Sequence, residues 1–199
     1  MNKIPPDKAQ TALLPPFSGL ALANIFVPAS EAEFTAAAAE IMAAQVVGFD
    51  TESKPTFFKD QQSQGPHVVQ FALHDKAFIF QLHHRHGWPF LLELLQAESL
   101  LKVGFGLGQD KGQIYEKLGV RLQSVLDLCS VFRQMGYRNS VGVRSAVAIV
   151  FEQKFQKSRR VTTSNWANHA LTPSQLLYAA NDAYAALRVQ AALALPKLS

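Results

Sequence analysis

The 199 residues include a single cysteine, Cys129, so no internal disulfide can form and no cysteine-based zinc site can be assembled. No apolar run reaches the roughly 18 residues that a membrane-spanning helix requires. The leading MNKIPPDKAQTALLPPFSG is broken by Pro5-Pro6 and Pro15-Pro16, where a secretory signal would carry a continuous apolar stretch. The Gly-Lys-Ser/Thr of a phosphate-binding P-loop is missing. Internal repeats and low-complexity tracts are missing as well, apart from a local richness in alanine. These absences predict a soluble, unexported chain in a reducing cytoplasm, with no membrane partner. A length of 199 residues and 48% hydrophobic content suffice for one substantial core.

Charge is present but unevenly spread. The net charge of +4 says little by itself, but between Arg133 and Arg160 seven basic residues face one acid, Glu152. Such an imbalance suits either a solvated helical face or a surface for a polyanion.

Along the chain, residues 1–24 read as an irregular, proline-stiffened lead and 25–199 as a single domain. Strands are expected near 25–27, 45–51, 67–73, 76–81 and 101–105. Helices are expected near 30–44, 88–96, 108–118, 127–135, 142–152 and 172–195. Ser30 with Glu33, and Thr172 with Gln175, have the spacing of capping boxes, and Pro173 stands at a first helical position. Interleaved strands and helices predict an α/β fold with a mixed sheet.

Three segments carry the chemistry. In VVGFDTES (46–53) an apolar strand ends in Asp50 and Glu52, which point to one face. Two carboxylates about 4 Å apart repel by roughly 4 kcal/mol at an effective dielectric near 20, so the pair needs a cation, a proton or solvent. The segment alone leaves open two solvated acids at a strand end. In LLKVGFGLGQDKGQIYEKLG (100–119), the glycines at 104 and 106 do not complete a dinucleotide fingerprint, because Gln109 stands where the third glycine belongs. What remains is a glycine-rich turn and Asp110 in the first turn of a helix. In the final helix, Tyr178 and Asp182 lie four residues apart on one face, off the centre of the stripe Leu176, Ala180, Ala183 and Leu187, with small Ala179, Ala185 and Ala186 nearby.

Taken jointly, GFDTE at 48–52, VGFGLGQD at 103–110 and SNWANHALTPSQLLYAANDAY at 164–184 resemble the three signature motifs of the DEDD superfamily of 3′-to-5′ exonucleases. The resemblance is to the branch with tyrosine in its third motif, represented by ribonuclease D and the exonuclease domain of the Werner syndrome helicase. It covers about residues 25–190. It implies a ribonuclease H-like fold, a mixed central sheet flanked by helices. It also implies catalytic roles for Asp50, Glu52, Asp110, Tyr178 and Asp182, with the four acids holding two divalent ions, Mg²⁺ or Mn²⁺. Asp50 would bridge both ions, Glu52 and Asp182 would hold the one carrying the attacking water, Asp110 would help hold the second, and Tyr178 would orient the water. All-oxygen ligand sets favour such hard ions over zinc.

The implied activity is hydrolysis at the free 3′ end of a nucleic acid with release of nucleoside 5′-monophosphates, DNA slightly favoured. An RNA-processing exoribonuclease or a silent nucleic-acid-binding module are the alternatives, although a module of that kind has no need of four mutually repelling acids. A dehalogenase-type phosphatase would need Asp-x-Asp, and the third position is Glu52. Thr51, Lys54, Phe105 and Arg160 are candidate substrate contacts, with Phe57 and Phe58 as further aromatics able to stack or to pack. His83, His84 and His86 read as a solvated turn. Ribonuclease D has additional helical nucleic-acid-binding domains without counterpart in these residues, so the resemblance implies low affinity and processivity, or help from a protein partner.

Overall fold

The computed structural model describes residues 3–56 and 63–195. Phe57, Phe58, loop positions 59–62 and Pro196 lie outside the described residues. The strands are β1 (Ile25–Phe26), β2 (Val46–Glu52), β3 (Val68–Ala72), β4 (Ala77–Gln81), β5 (Leu101–Gly104) and β6 (Val125–Asp127). The helices are α1 (Lys8–Ala12), α2 (Glu31–Ala44), α3 (Trp88–Gln96), α4 (Gly108–Leu118), α5 (Leu128–Gln134), α6 (Val143–Phe151), α7 (Arg159–Thr162) and α8 (Pro173–Ala192). All six strands join one sheet in the order β1-β4-β3-β2-β5-β6. The β2, β3 and β4 strands run antiparallel in succession, while β5 and β6 extend the sheet parallel to β2. The sheet is therefore mixed, with helices on both faces.

Alternation along β2 decides what each face holds. Val47 and Phe49 enter an apolar layer with Phe34 and Ile41 of α2, Phe71 of β3, Phe80 of β4, and Leu91, Leu94 and Leu95 of α3. Gly48, Asp50 and Glu52 face the other way, towards α8. At Gly48 a β-carbon would fall 1.9 Å from the Ala183 carbonyl oxygen. The missing side chain is what lets α8 lie directly on β2, and with it Asp182.

Both capping boxes form. Ser30 Oγ accepts from Glu33 N at 3.3 Å while Glu33 Oε2 accepts from Ser30 N at 2.9 Å. At α8, Thr172 Oγ1 accepts from Gln175 N at 3.3 Å and Gln175 Oε1 accepts from Thr172 N at 3.0 Å. The buried Gln175 also donates to Ser164 Oγ at 3.0 Å, fastening the Ser-Asn-Trp stretch to the helix start. Lys102 of β5, fully buried, donates to the carbonyls of Leu94 (3.0 Å) and Ala97 (2.9 Å) at the C-terminal end of α3, where a cation meets the negative end of the helix dipole.

Four features differ from the pattern expected from the sequence, the short helix α7 at Arg159–Thr162 being one of them. The three-residue β6 was not anticipated, being too short to show a period. The last helix ends at Ala192, with Ala194 at a positive φ of 48°, instead of running on to about 195. Residues 3–24, otherwise irregular, contain α1 and a 3₁₀ turn at Leu22–Asn24. Among the described residues no helix is long and apolar enough to cross a membrane.

Candidate active site

The acids of β2 and α8 meet at the lip of the sheet. Donor oxygens of Asp50, Glu52 and Asp182 all lie within 4.8 Å of one another, and among the described residues this is the one group of three or more ligating side chains so close. Asp50 and Glu52 are half-buried, and Asp182 is 4% exposed. The Tyr178–Asp182 pair, expected off the centre of the helical stripe, is buried, because α8 is covered on most of its circumference.

Asp110 approaches from the first turn of α4 and stands outside this trio. The Thr51 hydroxyl donates to Asp110 Oδ1, so Thr51 braces a site acid. The turn preceding α4 is fixed by Asp127, whose carboxylate accepts from Gly106 N at 2.9 Å and Leu107 N at 3.1 Å. Gly106 has φ of +69°, a region costly for other L-residues. Asp127 escaped the sequence reading. It also caps α5, accepting from Cys129 N at 2.9 Å.

Electrostatics show how crowded the trio is. Burial, with repulsion from Asp110 and Asp182, holds the Asp50 carboxyl well above the usual carboxylate range. Burial and the charge of Asp50 push Glu52 up to about 9. Burial also raises Asp110 and Asp182. The nearby cation is Lys157, whose Nζ lies 2.5 Å from Asp182 Oδ2. Burial would lower this ammonium's pKa, but Asp182 holds it above the usual lysine range. The other oxygen, Asp182 Oδ1, is buried with no hydrogen-bond partner among the described residues. Four converging acids, one of them with a buried bare oxygen, fit the oxygen ligand set of a hard divalent cation.

Tyr178 is held from three sides. Its hydroxyl and Thr162 Oγ1 are 2.8 Å apart, its ring lies 5.8 Å from that of the buried Trp166, and Lys157 Nζ stands 5.0 Å from the ring centre. Burial and the charge of Asp182 push the phenol up to about 12.

The remaining candidates sit around this centre. The Lys54 side chain is exposed and its backbone N–H donates to His67 Nδ1 at 3.2 Å. Arg160 is exposed on α7. Phe105 is half-buried and packs against the core shared by β5, α5, α6 and α8. His83 is exposed and stacks on His169, rings 4.3 Å apart and 5° from parallel, so the turn has a partner the sequence spacing did not reveal. Lys157, Thr162 and Arg144 were missed individually. The basic run from 133 to 160 was the one signal for the first and last of them. A groove of about 440 Å³ is lined by Arg144, Lys157, Arg159 and Thr162.

A mixed six-stranded sheet with converging carboxylates at one lip and a long helix supplying a tyrosine and an acid defines a ribonuclease H-like architecture. Solved structures share it. The Aedes aegypti Nibbler EXO domain superposes with a TM-score of 0.72 at 23% identity, covering 87% of this chain and 88% of that one. Trypanosoma brucei RNase D in complex with RNA U12 gives 0.76 at 20% identity over 87% and 63%. The model of the 3′-5′ exonuclease family matches residues 25–196, and the chain belongs to that family. Among curated relatives, the mouse bifunctional 3′-5′ exonuclease/ATP-dependent helicase WRN is 30% identical over 144 residues, 71% of this chain and 10% of that protein. An Arabidopsis thaliana 3′-5′ exonuclease is 32% identical over 142 residues, 70% of this chain and 49% of that protein. The chain thus spans from a tenth to about half of the length of these two relatives.

Proposed function

We propose that the protein hydrolyses phosphodiester bonds one at a time from nucleic-acid 3′ ends, releasing nucleoside 5′-monophosphates, with DNA as the favoured substrate. The observation that carries this reading is the meeting of Asp50, Glu52 and Asp182 within 4.8 Å beside Tyr178, in a chain of this family. Asp50, Glu52 and Asp182, with Asp110 beyond the trio, would hold two divalent ions, Mg²⁺ or Mn²⁺. Bound there, such ions supply charge stabilisation to the attacking and leaving oxygens of an in-line displacement.

The other residues have separable tasks. Tyr178 keeps its proton at neutral pH and, with its hydroxyl anchored on Thr162, orients the attacking water by hydrogen bonding. Lys157 offsets the charge of Asp182 and, with Arg144 and Arg159 along the groove, attracts a polyanion towards the acids. Lys54 and Arg160 extend that basic surface on the exposed rim. Trypanosoma brucei RNase D, solved with RNA U12, shares the fold, and this favours RNA as the second reading. Phosphate contacts alone do not distinguish the two polymers. The lone Cys129 suits a reducing cytoplasm as the place of action.

The test is digestion of 5′-labelled single-stranded DNA, recessed duplex DNA and RNA, each with Mg²⁺, Mn²⁺ or chelator. A ladder shortening one nucleotide at a time from the 3′ end, abolished by chelator, is expected. Cleavage of a circular substrate by the pure protein would overturn the exonuclease reading, and a ladder on RNA alone would move the assignment to the second reading.

A further inference from the structure

Gln70 on β3 lies directly opposite Asp50 in the antiparallel β2–β3 register. Residues so paired project to the same face, with Cβ atoms about 4.5–5.5 Å apart. That face is the α8 side, where Val68 and Ala72, two residues to either side of Gln70, pack with Tyr178, Ala179, Ala180 and Ala183. Gln70 is 0% exposed, and neither its Nε2 nor its Oε1 has a hydrogen-bond partner among the described residues. An unpaired buried carboxamide is costly, and its neighbours in this layer are largely small or apolar. Packing alone calls for leucine or methionine. Among the described residues the four other buried polar side chains outside the acids each find partners: Lys102 donates twice to α3 carbonyls, Gln175 caps α8 and donates to Ser164, Gln81 donates to the Asn168 carbonyl and Gln190 to that of Leu195. Gln70 is left bare only beside a site acid. Asp50 Oδ1 already accepts from Thr51 N at 2.9 Å, which leaves its carboxylate with further lone pairs to be oriented.

We infer that Gln70 is a positioning residue for the acid site: its carboxamide fixes the Asp50 carboxylate, through one bridging water, in the orientation that ligates a divalent ion. The inference rests on the metal-site reading above. Partners of this kind, which hold a ligand without touching the ion, typically change metal affinity by about 10–100-fold when removed.

Gln70→Met and Gln70→Leu are measured beside the wild type by calorimetric titration with Mn²⁺ and by thermal melting in chelator. Both variants are expected to melt higher than wild type in chelator, by about 3–8 °C, because an unpaired amide has been replaced by an apolar group. Both are also expected to bind Mn²⁺ about 10–100-fold more weakly. A residue serving only the packing would move the two readouts together, so gain in one with loss in the other is the signature. Unchanged Mn²⁺ affinity in either folded variant overturns the inference about Gln70 alone. A lower melting temperature in chelator, or failure of both variants to fold, shows that the amide serves the fold and likewise overturns it. No Mn²⁺ binding by the wild type would overturn the metal-site reading itself.

Discussion

The two faces of the sheet answer to different demands. Towards α2 and α3, β2 presents Val47 and Phe49 to a layer of phenylalanines and leucines, and the buried cation on that side, Lys102, donates two hydrogen bonds to α3 carbonyls. Towards α8, the same strand presents Asp50 and Glu52, and here Gln70 and Asp182 Oδ1 remain without partners. One residue along a strand separates a satisfied layer from a strained one. The first face is given over to packing, while the second combines its own apolar clusters with the site, where repulsion and unpaired polar atoms can be relieved by a bound ion.

The sharpest break of that contrast is Asp50→Asn. It is expected to eliminate the 3′ ladder in the labelled-substrate assay while raising the melting temperature in chelator at alkaline pH, where the raised carboxyl would otherwise ionise beside the other acids. A lower melting temperature would show that the α8 face is not strained. Next in size, Tyr178→Phe should cost about 10²–10⁴-fold in turnover at saturating metal and substrate, with Mn²⁺ affinity unchanged by titration. Near-normal turnover would remove the tyrosine from the chemistry. On the opposite face, Phe71→Ala should destabilise by about 3–5 kcal/mol in denaturant unfolding while the fraction that remains folded keeps its turnover. The last effect is on pH. Glu52 stands at about 9 in the fold against an ordinary 4.5. A raised carboxyl contributes stability that is fully present below the unfolded value and is lost as pH rises through about 9. Melting in chelator should therefore fall from pH 5 to pH 9, and saturating Mn²⁺ should flatten the slope. A flat profile in chelator would mean that Lys157 already neutralises the cluster.

The contrast also explains what the sequence disclosed. Ser30–Glu33 and Thr172–Gln175 were legible because a capping box is local, complete within four residues. The α/β mixed sheet followed from β-runs alternating with helical periods. The acids were legible as motifs, yet neither spacing nor period could show that Asp182 lies against Asp50; the bare Gly48 beneath Ala183 does that in three dimensions. Lys157 reaches Asp182 from 25 residues away through an irregular segment, and Gln70 is one polar letter in an otherwise apolar strand. Both depend on register and loop path, which no local signal encodes.

The proline-rich lead bears on where a fragment is cut. Phe17 packs against the rings of Phe151, Phe155 and Tyr184, Pro16 bridges to Lys154, and Leu20 N donates at 2.6 Å to Asn181 Oδ1, the residue next to Asp182. A boundary drawn at residue 25, where the family match begins, would strip this strap from the helix that carries Tyr178 and Asp182 and uncover aromatic surface beside it. For this chain, the packed unit begins before the recognisable domain does.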